Sequence, residues 1–207
     1  MAIIDYKNLD SNHIDVLREI GNIGSGNAAT ALASMLGTLV DISVPEVRMV
    51  QLSTVPKSME QFHTLSLGIA IQLEGDINGV MFHIVRPEFA RMMINRFYPR
   101  EFNDLDELDD MDMSVMREMS NITCAAYANS LASLTGMFIN IAPPEAVVRP
   151  NNAILDDPAK IISAYGDTAI VIDQVMKINN AEINSHMLLI LDVESLQKFF
   201  RVLGIEE

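Results

Sequence analysis

The stretch Asp15-Val-Leu-Arg-Glu19-Ile-Gly-Asn22 returns 99 residues later as Ser114-Val-Met-Arg-Glu118-Met-Ser-Asn121, and this recurrence constrains the fold more than any other feature of the chain. Over positions 15–46, thirteen of thirty-two residues are identical to those 99 further on: Val16, Arg18, Glu19, Asn22, Ile23, Ala29, Leu32, Ala33, Ser34, Gly37, Ile42, Pro45 and Glu46. A match held in register without a gap means a duplicated unit of about half the chain, so both halves must be built from the same elements in the same order.

On a helix each residue advances about 100°, which brings Asp15, Glu19 and Asn22 within about 60° of one another. Gly26, Ala29 and Ala33 continue that face, while Leu17, Ile20, Gly24, Ala28, Ala31, Leu32 and Met35 gather on the other. In the second copy the corresponding ledge reads Ser114, Glu118, Asn121, Ala125, Ala128 and Ala132, and the apolar side Met116, Met119, Thr123, Tyr127, Leu131 and Leu134. The pattern predicts two amphipathic helices, each with one core side and one smooth side.

A solvated helix face normally carries Lys, Glu and Arg. Here each ledge offers one carboxylate, one amide and then little beyond methyl groups. In one reading the Glu and Asn merely solvate or cap the helix, and the alanines pack under a loop. In the other, the ledge is shaped so that another protein's backbone comes close enough for the amide and carboxylate to reach into it.

The pattern Asp/Ser-x3-Glu-x2-Asn-x22-Pro is met at Asp15, Glu19, Asn22 and Pro45, and again at Ser114, Glu118, Asn121 and Pro144. It closely resembles the CheC-type chemotaxis phosphatases of the CheC/CheX/FliY family, and two intact copies resemble its two-motif members. The likeness covers nearly the whole chain. It implies a pseudo-two-fold α/β (α+β) fold of duplicated helix–strands–helix units, with one mostly antiparallel sheet and both motif helices packed on one face. The pattern of residues agrees with that expectation.

Composition narrows the function classes. A net charge of −14 with only fourteen Lys plus Arg argues against a nucleic-acid surface or an anionic membrane surface, both of which need basic patches. A single cysteine, Cys124, excludes an internal disulfide. The start lacks a basic segment followed by a long apolar run, and no apolar stretch reaches the length of a membrane span, so a cytoplasmic protein without membrane insertion is expected. With 49% hydrophobic residues in 207, the chain can bury a substantial core. The expected organisation is a single domain over 1–207, made of repeats at about 10–98 and 109–206 and joined by an acidic linker at 103–112.

Taken in order, the first helix starts near Asp10-Ser11 and stops at Gly37, a natural left-handed cap. Gly21, Gly24 and Gly26 in its interior cost about 1 kcal/mol each relative to alanine. Gly21 and Gly24 face the buried side and imply close approach to the sheet or to the twin helix, whereas Gly26 keeps the ledge open. Strand-forming residues at 38–51 are interrupted by Pro45, which belongs at an edge or bend. Runs at 65–73 and 77–85 flank Glu74-Gly75-Asp76 as a hairpin, and a helix follows at 87–97 with Pro at its start. Six acids in the nine residues 104–112 form a solvated run leading into the second motif helix. The second repeat then offers strands at 138–148, 168–175 and 183–191 and a final helix at 193–203. A short helix is expected within 149–166, a segment without a counterpart of equal length in the first repeat.

Other chemical candidates are weak. His13, His63, His83 and His186 lack metal-ligand spacing, so no metal site is expected. Cys124 has no base near it in sequence and reads as a small buried hydrophobe. Gly-Asn-Ile-Gly-Ser-Gly lies within a helix instead of following a strand, which removes a phosphate-cradling loop. The fourteen methionines fill core space.

The resemblance implies dephosphorylation of the response regulator CheY, which carries its phosphoryl group on an aspartate and brings its own Mg²⁺ and lysine. This chain then needs no cofactor of its own. Asn22 and Asn121 would position the attacking water, and Glu19 and Glu118 would anchor each ledge to the regulator's lysine. Asp15 and Ser114, one turn earlier, would orient or dock. Pro45, Pro144, Gly21 and Gly24 would be structural. The deamidase CheD is a further partner the resemblance suggests, with no residues assigned to it. The rival expectation is a binding module that sequesters phosphorylated regulator, or relays its level to CheD, with little turnover. In the second copy Ser120 replaces Gly21, and Thr123-Cys124-Ala125 replaces Gly24-Ser25-Gly26, so packing behind the two ledges must differ and the second site could be the weaker.

Overall fold

The computed structural model describes residues 9–52, 65–155, 168–179 and 181–205. The two motif helices are α1 (Ser11–Leu36) and α3 (Asp110–Thr135), each of 26 residues. Their ends repeat the 99-residue offset. Asp10 and Asp109 are the N-caps, and Gly37 (φ 59°) and Gly136 (φ 69°) close the C-termini in the left-handed conformation that glycine adopts without penalty. Each N-cap carboxylate accepts from backbone amides of the first turn, and a side chain three residues on reaches back to the cap amide: His13 in α1, Asp112 in α3. Thus His13, which looks isolated in the sequence, has Asp112 as its repeat partner.

Between and after these helices lie β1 (Val40–Ile42), β2 (Glu46–Gln51), β3 (Leu65–Gly75), β4 (Gly79–Val85) and α2 (Pro87–Phe97), then β5 (Ile139–Ile141), β6 (Glu145–Pro150), β7 (Thr168–Ile178), β8 (Ala181–Leu191) and α4 (Val193–Val202). All eight strands form one antiparallel sheet, and the halves exchange their short strands. β1 and β2 of the first repeat pair with β7 of the second, β5 and β6 of the second pair with β3 of the first, and β4 joins β8 at the centre. The mixed α/β class with a single antiparallel sheet is as expected from the sequence. No helix among the described residues is long and apolar enough to cross a membrane.

Both motif helices pack on one face. Leu17, Ile20 and Ala28 of α1 and Tyr127 and Leu131 of α3 share a core with Ile71, Met81, Ile172 and Leu189, while Leu32, Leu36, Met116 and Met119 share a second with Leu67, Ile69 and Met176. The alternate residues Ala70, Phe82, Ile84, Val171 and Leu188 form the opposite face and are covered in part by Ile154 and Leu155. With apolar side chains buried on both faces, the central strands read as continuous hydrophobic runs, which is why alternation is weak in the sequence.

The hairpin differs from expectation. β3 runs through Glu74 and Gly75, because both pair with β5 (Glu74↔Asn140, Gly75↔Ile139), so the turn falls at 76–78. The run 38–51 divides at Pro45 into two strands on the same neighbour, β7, as a residue without an amide donor requires. The acidic stretch contains a short 3-10 turn, Leu105–Glu107, before α3. Asn151–Ala153 forms another in the segment 149–166, of which 156–166, like His63, lies outside the described residues.

Candidate active site on the two motif helices

On α1, Asp15, Glu19 and Asn22 are all exposed, and Gly26 has nothing within 4 Å of the position a Cβ would take. Asp15 is held by Arg18 at 2.6 Å. Glu19 and Asn22 have no hydrogen-bond or ion-pair partner among the described residues. On α3, Ser114 and Glu118 are exposed and Asn121 is half-buried, and these too have no such partner. Each helix therefore presents a carboxylate and an amide, one turn apart, with free polar atoms.

The faces flanking these pairs are less alike than the repeat suggests. Ala29 and Ala33 are half-buried beside the open Gly26, whereas on α3 Ala125 and Ala132 are half-buried and Ala128 is buried. Ala128 was expected on the ledge. It joins the core with Ala126 because α3 is covered both by the sheet and by α1, a helix contact that periodicity alone cannot reveal. Conversely Leu134, expected inside, is 43% exposed, since the last turn of α3 is uncovered on that side. Ala31 and Met35, also expected inside, are only half-buried.

What lies behind each ledge differs as well. A Cβ on Gly21 would stand 3.0 Å from Pro45 Cγ, and one on Gly24 would stand 2.4 Å from Tyr127 Cδ1, so the first touches the β1–β2 bend and the second the twin helix. Next to Gly24, Ser25 Oγ donates to the Gly21 carbonyl at 2.7 Å and lies 2.7 Å from Tyr127 Oη, which donates to Gln174 Oε1 at 2.7 Å. Burial, the dominant influence, keeps the Tyr127 hydroxyl protonated well above its ordinary range. This cluster ties α1, α3 and β7 together at Ser25, three residues after Asn22. Sequence reasoning did not find it, although a tyrosine on one helix and glycines on the other hinted at it.

Behind the second ledge, Thr123 Oγ1 donates back to the Met119 carbonyl, and Cys124 is fully buried beside Met187. Burial pushes the Cys124 thiol up to about 12, so it is inert as a nucleophile at neutral pH. Ser120, the residue before Asn121, contacts His83 of β4.

Burial, together with the nearby charge of His186, pushes His83 down to about 4. A histidine whose pKa is lower in the folded than in the unfolded chain contributes its full stability above about 6.5 and loses it as pH falls toward 4. Between pH 6.5 and 4 this group should cost roughly 3 kcal/mol of stability. Urea unfolding at pH 7, 5.5 and 4.5 should show that loss, and His83→Leu should flatten it over the same window. Asp10, Asp76 and Asp173 are all held low by their partners and titrate beneath it.

A model of the CheC-like family matches residues 13–49, the stretch that holds Asp15, Glu19, Asn22 and Pro45. Over almost its whole length the chain is also 28% identical to the CheY-P phosphatase CheC of Bacillus subtilis (strain 168), with 203 residues covering 96% of this chain and 97% of that one. The chain thus resembles the CheC family. Its likeness to the flagellar motor switch phosphatase FliY of the same organism is 26% over 143 residues, or 69% of this chain and 37% of FliY. The crystal structure of Thermotoga maritima FliY superimposes with a TM-score of 0.73, covering 97% of this chain and 100% of that one at 24% identity, and shows the same fold. The family match ends before the second motif, which the in-register offset supplies.

Proposed function

We propose that this protein belongs to the CheC family and is an aspartyl-phosphate phosphatase acting on a CheY-type response regulator, with one reaction site on each motif helix. The observation that carries this reading is the pair of unsatisfied side chains on each ledge, Glu19 with Asn22 and Glu118 with Asn121, each beside a face of small residues. The name of the B. subtilis relative, a CheY-P phosphatase, supplies the substrate class.

A phosphoaspartate is hydrolysed when water is held in line with the departing carboxylate oxygen, and most of the work is positioning. An amide suits this, because its carbonyl accepts from the water while its NH₂ donates to a phosphoryl oxygen. Asn22 and Asn121 take that role. Glu19 and Glu118, one turn away, anchor the helix by a charge-assisted contact to the regulator's lysine. Asp15 and Ser114 orient the docked partner, with Asp15 already steadied by Arg18. The open face at Gly26 lets the regulator's backbone approach.

The Mg²⁺ of this chemistry belongs to the regulator. Near the first motif, Asp15 is already paired with Arg18, and no group of three or more His, Cys, Asp or Glu suited to a metal ion occurs among the described residues. Calorimetry of the protein alone with Mg²⁺ or Mn²⁺ should give no specific heat of binding. A tight site would contradict the assignment.

The two sites act separately in this reading. Alanine at Glu19 and Asn22 should leave activity carried by Glu118 and Asn121, the reciprocal pair should leave the remainder, and the two rates should sum to roughly the wild-type rate, as for sites without shared partners. Complete loss from either pair alone, in a folded protein, would reduce the account to one site with a structural twin.

A further inference from the structure

The second motif rests on a polar support different from the Ser25–Tyr127–Gln174 cluster near the first. Ser120 is fully buried, and its Oγ lies 3.2 Å from His83 Nδ1; on the other side of the ring, His83 Nε2 lies 3.0 Å from Ser185 Oγ. His83 stands on β4 and Ser185 on β8, the two strands that join the halves of the sheet. We propose that Ser120, His83 and Ser185 form a polar bridge that sets the position of Asn121, making His83 a positioning residue of the second site. This rests on the phosphatase reading of that site.

A neutral imidazole carries one donor and one acceptor nitrogen, and each serine hydroxyl can serve as either. Both contacts are therefore satisfied in either tautomer of the neutral ring, the form that burial favours. Phe89 packs against the ring at a steep angle, with the centroids 5.7 Å apart. Moving α3 along or around its axis would leave a buried imidazole and two hydroxyls unpaired, at a cost that ordinary side-chain packing does not impose. The bridge thus specifies one placement of the helix at the residue adjacent to Asn121.

The first repeat has no such bridge at the matching positions among the described residues; its polar cluster, Ser25 with Tyr127 and Gln174, sits further along α1 and reaches β7 instead. Gly21 occupies the place of Ser120 and touches Pro45. β4 and β8 each end two residues before a helix, which makes Leu189 the counterpart of His83, and it lies in the core as an apolar side chain. The half-buried state of Asn121, against the exposed Asn22, accords with a second motif drawn toward the sheet.

The test uses two parents, one with Glu19→Ala and Asn22→Ala and the other with Glu118→Ala and Asn121→Ala. In the first, His83→Leu or Ser120→Ala should lower kcat on a phosphorylated receiver domain about 10-fold with KM nearly unchanged, since the amide is misplaced and the ledge is not removed. The double change should be no worse than either single change, and His83→Gln, which keeps a donor and an acceptor, should recover part of the rate. In the second parent the same substitutions should alter the rate less than about two-fold, because the first ledge does not rest on the bridge. Equal losses in both parents, additive losses, or no loss would overturn the proposal. Should the first parent itself be inactive, the phosphatase reading of the site fails instead. The bridge is then decided by ¹⁵N spectra, in which Ser120→Ala must shift the His83 ring nitrogens and the Asn121 side-chain amide while leaving that of Asn22 in place; unmoved signals would also overturn it.

Discussion

Asn22→Ala, made in a protein already lacking Glu118 and Asn121, is expected to slow turnover of a phosphorylated receiver about 10²-fold or more while changing affinity little. The amide is assigned to the transition state, where it orders water against the phosphorus, and removing a group that acts only there lowers kcat and kcat/KM together. Glu19→Ala in the same background should also raise the half-saturating concentration, since its carboxylate contacts the regulator before the reaction as well as during it. With Glu19, Asn22, Glu118 and Asn121 all replaced, turnover should vanish from a protein that stays folded, because none of the four has a partner among the described residues whose loss would leave a buried group unpaired. Stopped-flow or phosphate-release kinetics across a concentration series separates the two effects. An Asn22→Ala variant altered only in affinity would remove the water-positioning role.

Gly24→Ala should destabilise the protein by about 2–3 kcal/mol, although alanine is the better helix former by about 1 kcal/mol. The added methyl would stand 2.4 Å from Cδ1, 2.7 Å from Cε1 and 3.0 Å from Cγ of Tyr127. That ring has little freedom to yield: it is 2% exposed, and its hydroxyl is engaged by Ser25 and Gln174. Either α1 and α3 separate or the ring leaves its hydrogen bonds. Gly26→Ala provides the contrast. Its Cβ meets nothing, so stability should rise by up to about 1 kcal/mol, while regulator binding weakens if the open face is where the partner's backbone approaches. Urea denaturation of both variants, and of Gly24→Ala combined with Tyr127→Ala, tests the contact. The double variant should be less destabilised than the sum of its parts. Equal stability for Gly24→Ala and wild type would mean that the helices do not approach at this point.

The features legible in the sequence are those governed by local rules. The caps at Asp10 and Gly37 recur at Asp109 and Gly136, and Pro87 marks the first turn of α2, because capping and proline chemistry act over a few residues. The 99-residue offset carried the rest of the architecture, since one repeat had to be built like the other. What escaped depends on contacts between distant segments. The turn after β3 moved because β5 extends the ladder to Gly75. Ala128 sank into the core because α1 covers α3 there, and no helical periodicity encodes a neighbour. The polar clusters beneath the two motifs, Ser25 with Tyr127 and Gln174 in one and Ser120 with His83 and Ser185 in the other, join residues 37 to 149 positions apart. Their only trace was the replacement of Gly21 by Ser120 and of Ala28 by Tyr127 between the copies.

The central claim is that the free Glu and Asn side chains hydrolyse an acyl phosphate on another protein and do more than hold it. The measurement that bears on it most directly follows phosphate release from a phosphorylated CheY-type receiver with this protein present at one-twentieth of the receiver concentration or less. Release should accelerate in proportion to the protein added, each molecule should process many receivers, and the quadruple alanine variant should leave only the receiver's own slow decay. Phosphate that is retained or protected, with any acceleration ceasing after one receiver per site, would contradict it and leave a binding module in its place.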